Sequence, residues 1–597
     1  MLLNAFQKLN AVERILALGL LWVGVGYFIN FGVLGFLVSD YDYDHLSAYY
    51  EIAGRFWRQG GGLPEFNPYL CGGRSLGADP QIPIFHPFVF LVPIIGPTLV
   101  VKWEMLFQLF LGGVGLIKWL RLLKVSREAQ WFGLFTFLTF GGIVARFRVG
   151  HVTLGYVFLS PLLFYLNYRF AEAGKWGTEK WNRFGAYVLL FAYAALYKPN
   201  FLIYFVPLLF AEHFSRAVLT RNWRVIFFPV AAISLAVGID AIVYMPSYRF
   251  FQDFPRPNEM LQMHYRAISI LPNLLLPYKT LPRAWLDGSF FGTHEYNIYV
   301  GPVAIGLALF GFWRKARKRF YANKISLGIL ALVSFLIGIG APPSTGAGWF
   351  PYSWLAIFWP GFTTARVPSR FWVGVGLAII PLSALGWDQL PKRVQGLKLG
   401  LIIIAVIPAT LSTLIHLTQT SLRVHQSQWS GRAQILNEPQ WAFNDADHSF
   451  ATIRSGESAL NCMNNMQVMQ SPALEALPLL HTGGTFSSPV RAQWRGWSRF
   501  TVKTEATQGI AIFNITHSPY WRIAGTGEIT SQMGERLAIS AKNGIDAELT
   551  FHQPGIKLGA AISLVSLILF ALVYCAGRFS IRMRSTGSGI SKRKTLA

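Results

Sequence analysis

Apolar stretches long enough to cross a bilayer recur along most of this chain, and that recurrence limits the fold before any motif is consulted. A hydrocarbon core about 30 Å thick takes about 20 apolar helical residues at 1.5 Å rise each. By that measure the sequence predicts about twelve spans: 13–38, 102–120, 130–146, 152–168, 184–198, 201–214, 225–245, 296–313, 325–342, 371–388, 399–417 and 557–577. Charged residues make up only 14% of the 597 residues, against roughly 25% in soluble domains. The first apolar segment is too long for a signal-peptide core and lacks a small-x-small cleavage site, so it reads as a retained span.

The net charge of +25 sits in short clusters between apolar segments, not on one polar domain, which argues for topology and anionic lipid and against a nucleic-acid partner. With the N-terminus inside, the clusters "RLLKVSR", "RFAEAGKWGTEKWNR", "SRAVLTRNWR", "RKARKRFYANK", "PKRVQGLK" and the basic tail all fall inside. This is the positive-inside pattern, with both termini cytoplasmic in an inner or plasma membrane. The long polar segments then face the other way: a first loop at 39–101, loops at 246–295 and 343–370, and a large region at 418–556.

That last region alternates apolar and polar residues at Phe500 and Val502, Ile510 and Ile512, Leu537 and Ile539, and Ala547, Leu549 and Phe551. Period-two patterning broken by "TQG" and "KNG" turns predicts an antiparallel sandwich with a structural or substrate-covering role. The expected organisation is a transmembrane domain at 1–417, an extracytoplasmic β-rich domain at 418–556, and a last span with a basic tail at 557–597. Three cysteines give no disulfide framework and no metal spacing; Cys71 and Cys462 read as two unrelated thiols, with a single bridge left open.

No Walker, Rossmann or H-E-x-x-H pattern occurs, so nucleotide hydrolysis and zinc hydrolysis lack local support. The chemistry concentrates in "SDYDYDHLSAYYEIAGRFW", residues 39–57, where Asp40, Asp42, Asp44 and His45 stand just beyond the first span. Carboxylates at a membrane–water boundary suit activation of an acceptor hydroxyl or retention of a divalent metal, while an extended strand would simply leave three solvated acids on one face. Glu104 and Asp240 are intramembrane acids, functional candidates by default, with capping or paired roles equally open.

The pieces "GGLPEFNPYLCGG" and "ADPQIPIFHPF" resemble the first outer loop of the bacterial YfhO-type membrane proteins, within the GT-C superfamily of lipid-linked-sugar glycosyltransferases. "RFRVGHVTLGYVFLSPLLF", "EYNIYVGPVAIGLALFG", "FTTARVPSRFW" and "HSPYWRIAG" agree in order along the chain. The resemblance implies a GT-C-like α-helical polytopic enzyme that takes a sugar from a polyprenyl-phosphate donor to an extracytoplasmic glycan, lipid or protein. It implies Asp42 as base or acceptor contact, with Asp40, Asp44 and His45 as neighbours, and acceptor contacts from Asn67, Tyr69, Asp79 and Gln81. No cofactor is demanded; a divalent cation, Mg or Mn, is compatible. The leaving phosphate needs cations, and the outer-side basic residues are Arg146, Arg148, His151, Lys198, Arg249, Arg256, His264, Arg266, Arg366 and Arg370. Arg366 and Arg370 are the leading pair, followed by Arg249 and Arg266, because a guanidinium binds phosphate through a planar fork. A transporter or flippase and a non-catalytic assembly protein are the rival classes.

Overall fold

The structure, a computed structural model, describes residues 7, 9–34, 42–70, 73–171, 178–198, 200–253, 267–277, 293–314, 318–340, 351–359, 362, 367–391, 395–422, 441–442, 458–459, 480, 482–485, 487–532 and 536–591. It is a multi-pass membrane protein. Eight described helical segments are long and apolar enough to cross: Ala11–Val33, Pro97–Leu122, Arg127–Val149, Phe201–Thr220, Tyr321–Gly338, Pro368–Asp388, Gly396–Thr418 and Ile556–Gly577. A ninth is the pair Arg224–Ile239 and Ala241–Gln252, which meet at 77°.

Among the described residues, length and composition therefore do not reach the expected count of about twelve. Of the three remaining segments, Pro302–Trp313 has 12 residues and Tyr156–Ala171 has 16. At 1.5 Å per residue the first is about 18 Å long, short of the hydrocarbon thickness. Thr178–Ala195 has 18 residues but opens on "TEKWNR", which carries Glu179, Lys180 and Arg183 into its first turns.

The ends of the spans segregate. Asn10, Ser126, Asp388 and Lys398 line one cavity of about 550 Å³, so the starts of the first, third and seventh spans and the end of the sixth share one end of the bundle. At the other end lie the exit of the first span, the C-terminus of the Gly141–Val149 helix and the entry to the Pro368–Asp388 span.

The β-rich region folds as two four-stranded antiparallel sheets. One has the order Glu528–Gln532, Arg536–Ala541, Gly509–Thr516, Thr482–Gly484; the other Arg491–Gly496, Arg499–Thr504, Ile545–Phe551, Trp521–Gly525. Phe500, Val502, Leu537, Ile539, Ala547, Leu549 and Phe551 fill the space between them, as the alternation predicts. The Gly509–Thr516 strand differs: Ala511, Phe513 and Ile515, not Ile510 and Ile512, point into this core. The strand is buried on both faces from Ala511 onward, so hydrophobicity alone does not mark its inner side. Cys575 is an exposed thiol; Cys71 and Cys462 lie outside the described residues.

Candidate active site

From Asp42 onward the acidic stretch after the first span is helical, not extended. Asp42 opens the Asp42–Arg58 helix, and Asp42 and Asp44 occupy its first turn, where carboxylates meet the positive end of the helix dipole. Helical spacing separates the acids that an extended chain would have aligned. Asp44 is turned inward at 4% exposure, whereas the Asp42 side chain keeps 34% of its surface.

Asp42 is met by a residue from another element. The Gly141–Val149 helix ends at Gly150 in the left-handed region (φ 81°), and an added Cβ there would lie 2.8 Å from the backbone nitrogen of Tyr43. Glycine thus lets the two segments touch. Tyr43 locks the crossing by donating its hydroxyl to the Phe147 carbonyl at 2.5 Å. The next residue, His151, then brings Nε2 to 2.9 Å from Asp42 Oδ2.

Behind this pair lies Glu295, buried at 3%. Arg370, at the entry to the sixth span, grips it as a fork: Nε donates to Oε2 at 3.0 Å and Nη2 to Oε1. Arg146 Nη2 stands 3.4 Å from Glu295 Oε2, and its Nη1 donates to the His294 carbonyl. His151 Nδ1 and His294 Nε2 approach Glu295 Oε1 at 4.0 and 3.9 Å, with the two imidazoles edge-on at 4.8 Å between centroids. Four separate stretches of sequence therefore meet in one cluster.

Electrostatics set the protonation states. Burial alone would raise the Asp42 carboxyl, but His151, with His45 and His294 behind it, brings it below its ordinary value. Burial likewise opposes ionisation of Glu295, yet Arg370 and then Arg146 hold it well below the usual carboxylate range. Burial, reinforced by His151, pushes His294 down to about 3, which leaves it a neutral imidazole at pH 7.

His151, His294 and Glu295 each offer one donor atom, all within 4.8 Å of one another. Two imidazoles and one carboxylate form a donor set for a transition-metal cation, not for the all-oxygen shell that Mg prefers. His151 Nδ1 is buried with no hydrogen-bond partner among the described residues, which fits a ligand role. Glu295 would have to divide itself between such a cation and the Arg370 fork.

Of the residues singled out in the sequence, Asp42, Arg370, Arg146 and His151 are brought into this cluster. His45 is buried one turn beyond Asp42 and contributes through its charge. Asp40, Arg366, Arg256, His264 and Arg266 lie outside the described residues. Arg249 is exposed on the Ala241–Asp253 helix, 3.5 Å from Gln252, with no described contact to the cluster. Asn67 and Asp79 brace the first loop: Asn67 Oδ1 accepts from the Tyr69 amide at 3.0 Å, and Asp79 accepts from the Gln81 amide at 2.9 Å and pairs with Arg74. Tyr69 lies under Arg55, 5.3 Å from the ring centroid.

Glu295 and His294 are the residues that sequence reasoning passed over. Their one signal was an acid beside a histidine in "HEYNIYVG", just before an apolar segment of a basic chain.

Glu104 forms a second buried centre. It takes Lys198 Nζ at 2.6 Å, Tyr197 hydroxyl at 2.7 Å and the Tyr50 hydroxyl, so it is a satisfied ion pair that ties the Asp42–Arg58 helix to the Pro97–Leu122 span and to the turn after the Thr178–Ala195 helix.

No protein-family model matches the sequence, and no curated protein matches it. Among solved structures the chain is similar to the arabinofuranosyltransferase AftD from Mycobacteria, at 13% identity over 68% of this chain and 27% of that one, with a TM-score of 0.41. It is also similar to the oligosaccharyltransferase of Archaeoglobus fulgidus crystallised with Zn and sulfate, at 11% identity, 77% and 63% coverage and a TM-score of 0.39. The archaeal AglB in complex with an inhibitory peptide and a dolichol-phosphate gives 11%, 78%, 65% and 0.40. The chain spans less than two-thirds of each of these proteins. The likenesses are distant, and the functional reading rests on the cluster itself.

Proposed function

We propose that this protein is a membrane glycosyltransferase of the GT-C kind, transferring a sugar from a polyprenyl-phosphate donor to the hydroxyl of an acceptor on the extracytoplasmic side. The observation that carries the reading is Asp42: an ionised carboxylate one-third open to solvent, held by His151 at the edge of a buried cluster that includes two arginines and a glutamate. In this reading the acceptor hydroxyl gives its proton to Asp42 as its oxygen bonds to the anomeric carbon. The bond from that carbon to the phosphate oxygen breaks, and its electron pair leaves with the phosphate. Asp42 is weakly basic in the resting state, which keeps it ionised and ready at neutral pH.

Once Asp42 has taken the acceptor's proton, Arg146 and Arg370 exceed Glu295 by one positive charge, a field that favours the anionic leaving group. Because the Arg370 fork is spent on Glu295, Arg370 acts through that field, and Arg366 keeps the proposed role of direct phosphate contact. A transition-metal cation held by His151, His294 and Glu295 would supply further Lewis-acid charge to the phosphate. Asn67, Tyr69, Asp79 and Gln81 shape the loop that faces the acceptor, and Asp44 and His45 support the Asp42 helix from within. Both termini are cytoplasmic in this reading, and the divisions at 417 and 556 separate membrane from β-rich parts.

A transporter reading has one observation in its favour, the 77° break at Asp240, whose two carboxylate oxygens are buried without a hydrogen-bond partner among the described residues. The two readings separate in reconstituted vesicles given tritiated undecaprenyl-phosphate pentoses and hexoses. A transferase moves label from lipid to a water-soluble or acceptor-bound product and loses this on Asp42→Asn. A transporter leaves the lipid–sugar bond intact.

A further inference from the structure

The β-rich region and the first loop are built into each other. Phe66 of the loop is fully buried in the core between the two sheets, its ring centroid 5.0 Å from that of Trp521 and 5.1 Å from that of Phe551. In the opposite direction Trp497 leaves the turn between the Arg491–Gly496 and Arg499–Thr504 strands. It packs edge-on against Phe56 at 5.4 Å and Tyr69 at 5.3 Å. Glu65 lies 3.5 Å from His552 Nδ1 across the same junction.

Phe56 stands on the helix that Asp42 begins. Positions 42, 49 and 56 are seven apart and so share one stripe of that helix, with Phe56 about four turns from Asp42. The helix is pinned to the membrane bundle at its near end by Tyr43 on the Phe147 carbonyl and at its middle by Tyr50 on Glu104. The far end has Trp497. A helix held at both ends has its tilt fixed, and the tilt decides where Asp42 lies relative to His151. The indole nitrogen of Trp497 is buried with no hydrogen-bond partner among the described residues, so the ring serves as an apolar wedge and not as a polar link.

We propose that the β-rich region is a clasp that sets the pose of the Asp42 helix, with Trp497 as its positioning residue. The proposal rests on the role given to Asp42 above. It is tested by amide hydrogen exchange on the full-length protein in nanodiscs, comparing wild type, Trp497→Ala and Trp497→Phe. Exchange across residues 42–58 rises on the order of tenfold in Trp497→Ala, through easier local opening, while strands 499–551 keep wild-type protection. Trp497→Phe, which preserves the wedge, stays close to wild type. With the tritiated lipid-phosphate sugars, Trp497→Ala lowers kcat at nearly unchanged KM, and Trp497→Phe restores it. Unaltered exchange at 42–58 overturns the clasp, and so does a rise that spreads equally through the strands, because then Trp497 merely stabilises the sandwich. Wild-type kcat in Trp497→Ala removes the positioning role. Retained turnover in Asp42→Asn would instead sink the functional reading and leave the exchange result standing.

Discussion

Buried ionisable side chains carry most of what can be tested one residue at a time. Arg370 and Glu295 form a fork–fork pair at 13% and 3% side-chain exposure. Removing one partner of such a pair strands the other charge, at a cost of about 3–5 kcal/mol. Arg370→Ala should therefore lower the melting temperature markedly, and adding Glu295→Gln should recover part of the loss. Additive losses in that double-mutant cycle would mean that the pair is not formed. Arg370→Lys should also be destabilising, since a single ammonium cannot satisfy both carboxylate oxygens; a lipid-headgroup anchor would tolerate it. His86 offers a pH test. It is fully buried, neither ring nitrogen has a hydrogen-bond partner among the described residues, and burial pushes it down to about 3 from an ordinary 6.5. A folded-state value below the unfolded one means that its contribution is intact above pH 6.5 and is lost as pH falls towards 3, at about 1.4 kcal/mol per unit. Thermal unfolding between pH 7 and 5 should show this slope, and His86→Leu should flatten it. An equal slope in the variant would contradict the assignment.

At the level of elements, the site depends on where short segments cross. Gly150 must be glycine on two counts, its positive φ and the 2.8 Å approach of Tyr43. Gly150→Ala should cost about 1–3 kcal/mol and loosen His151 from Asp42, visible as a lower melting temperature together with a change in the pH profile of turnover. A fully stable Gly150→Ala protein would show that the crossing is not tight. The same elements explain what the sequence could reveal. Asp42 and Arg370 stood out because charge at a membrane boundary is rare and costly. Asp44 did not separate from Asp42 until helical geometry turned it inward. Glu295 was hidden because its importance comes from residues 75 and 149 positions away, Arg370 and Arg146, and no local pattern records such pairings. The sheets follow the same rule. Strands with one buried face were legible in phase, whereas the doubly buried Gly509–Thr516 strand was not.

For the molecule as a whole, the spans place the first loop and the β-rich region at one end and the cavity lined by Asn10, Ser126 and Asp388 at the other. The helical class was plain from apolar run length, but the number of spans was not, since run length cannot distinguish a full crossing from the 12-residue Pro302–Trp313 helix. The proposed orientation predicts that, in a cysteine-free background, Gly60→Cys is modified by a membrane-impermeant maleimide in sealed cells and Lys124→Cys is modified only after permeabilisation. The reverse pattern would invert the protein and its site. The central claim, that Asp42 takes the acceptor's proton in sugar transfer from a lipid phosphate, is tested most directly by turnover of Asp42→Asn. Wild-type protein reconstituted with tritiated undecaprenyl-phosphate sugars should release label from the lipid. Asp42→Asn, equally folded by melting temperature, should lower that rate by at least a hundredfold, and wild-type turnover in the folded variant would contradict the account.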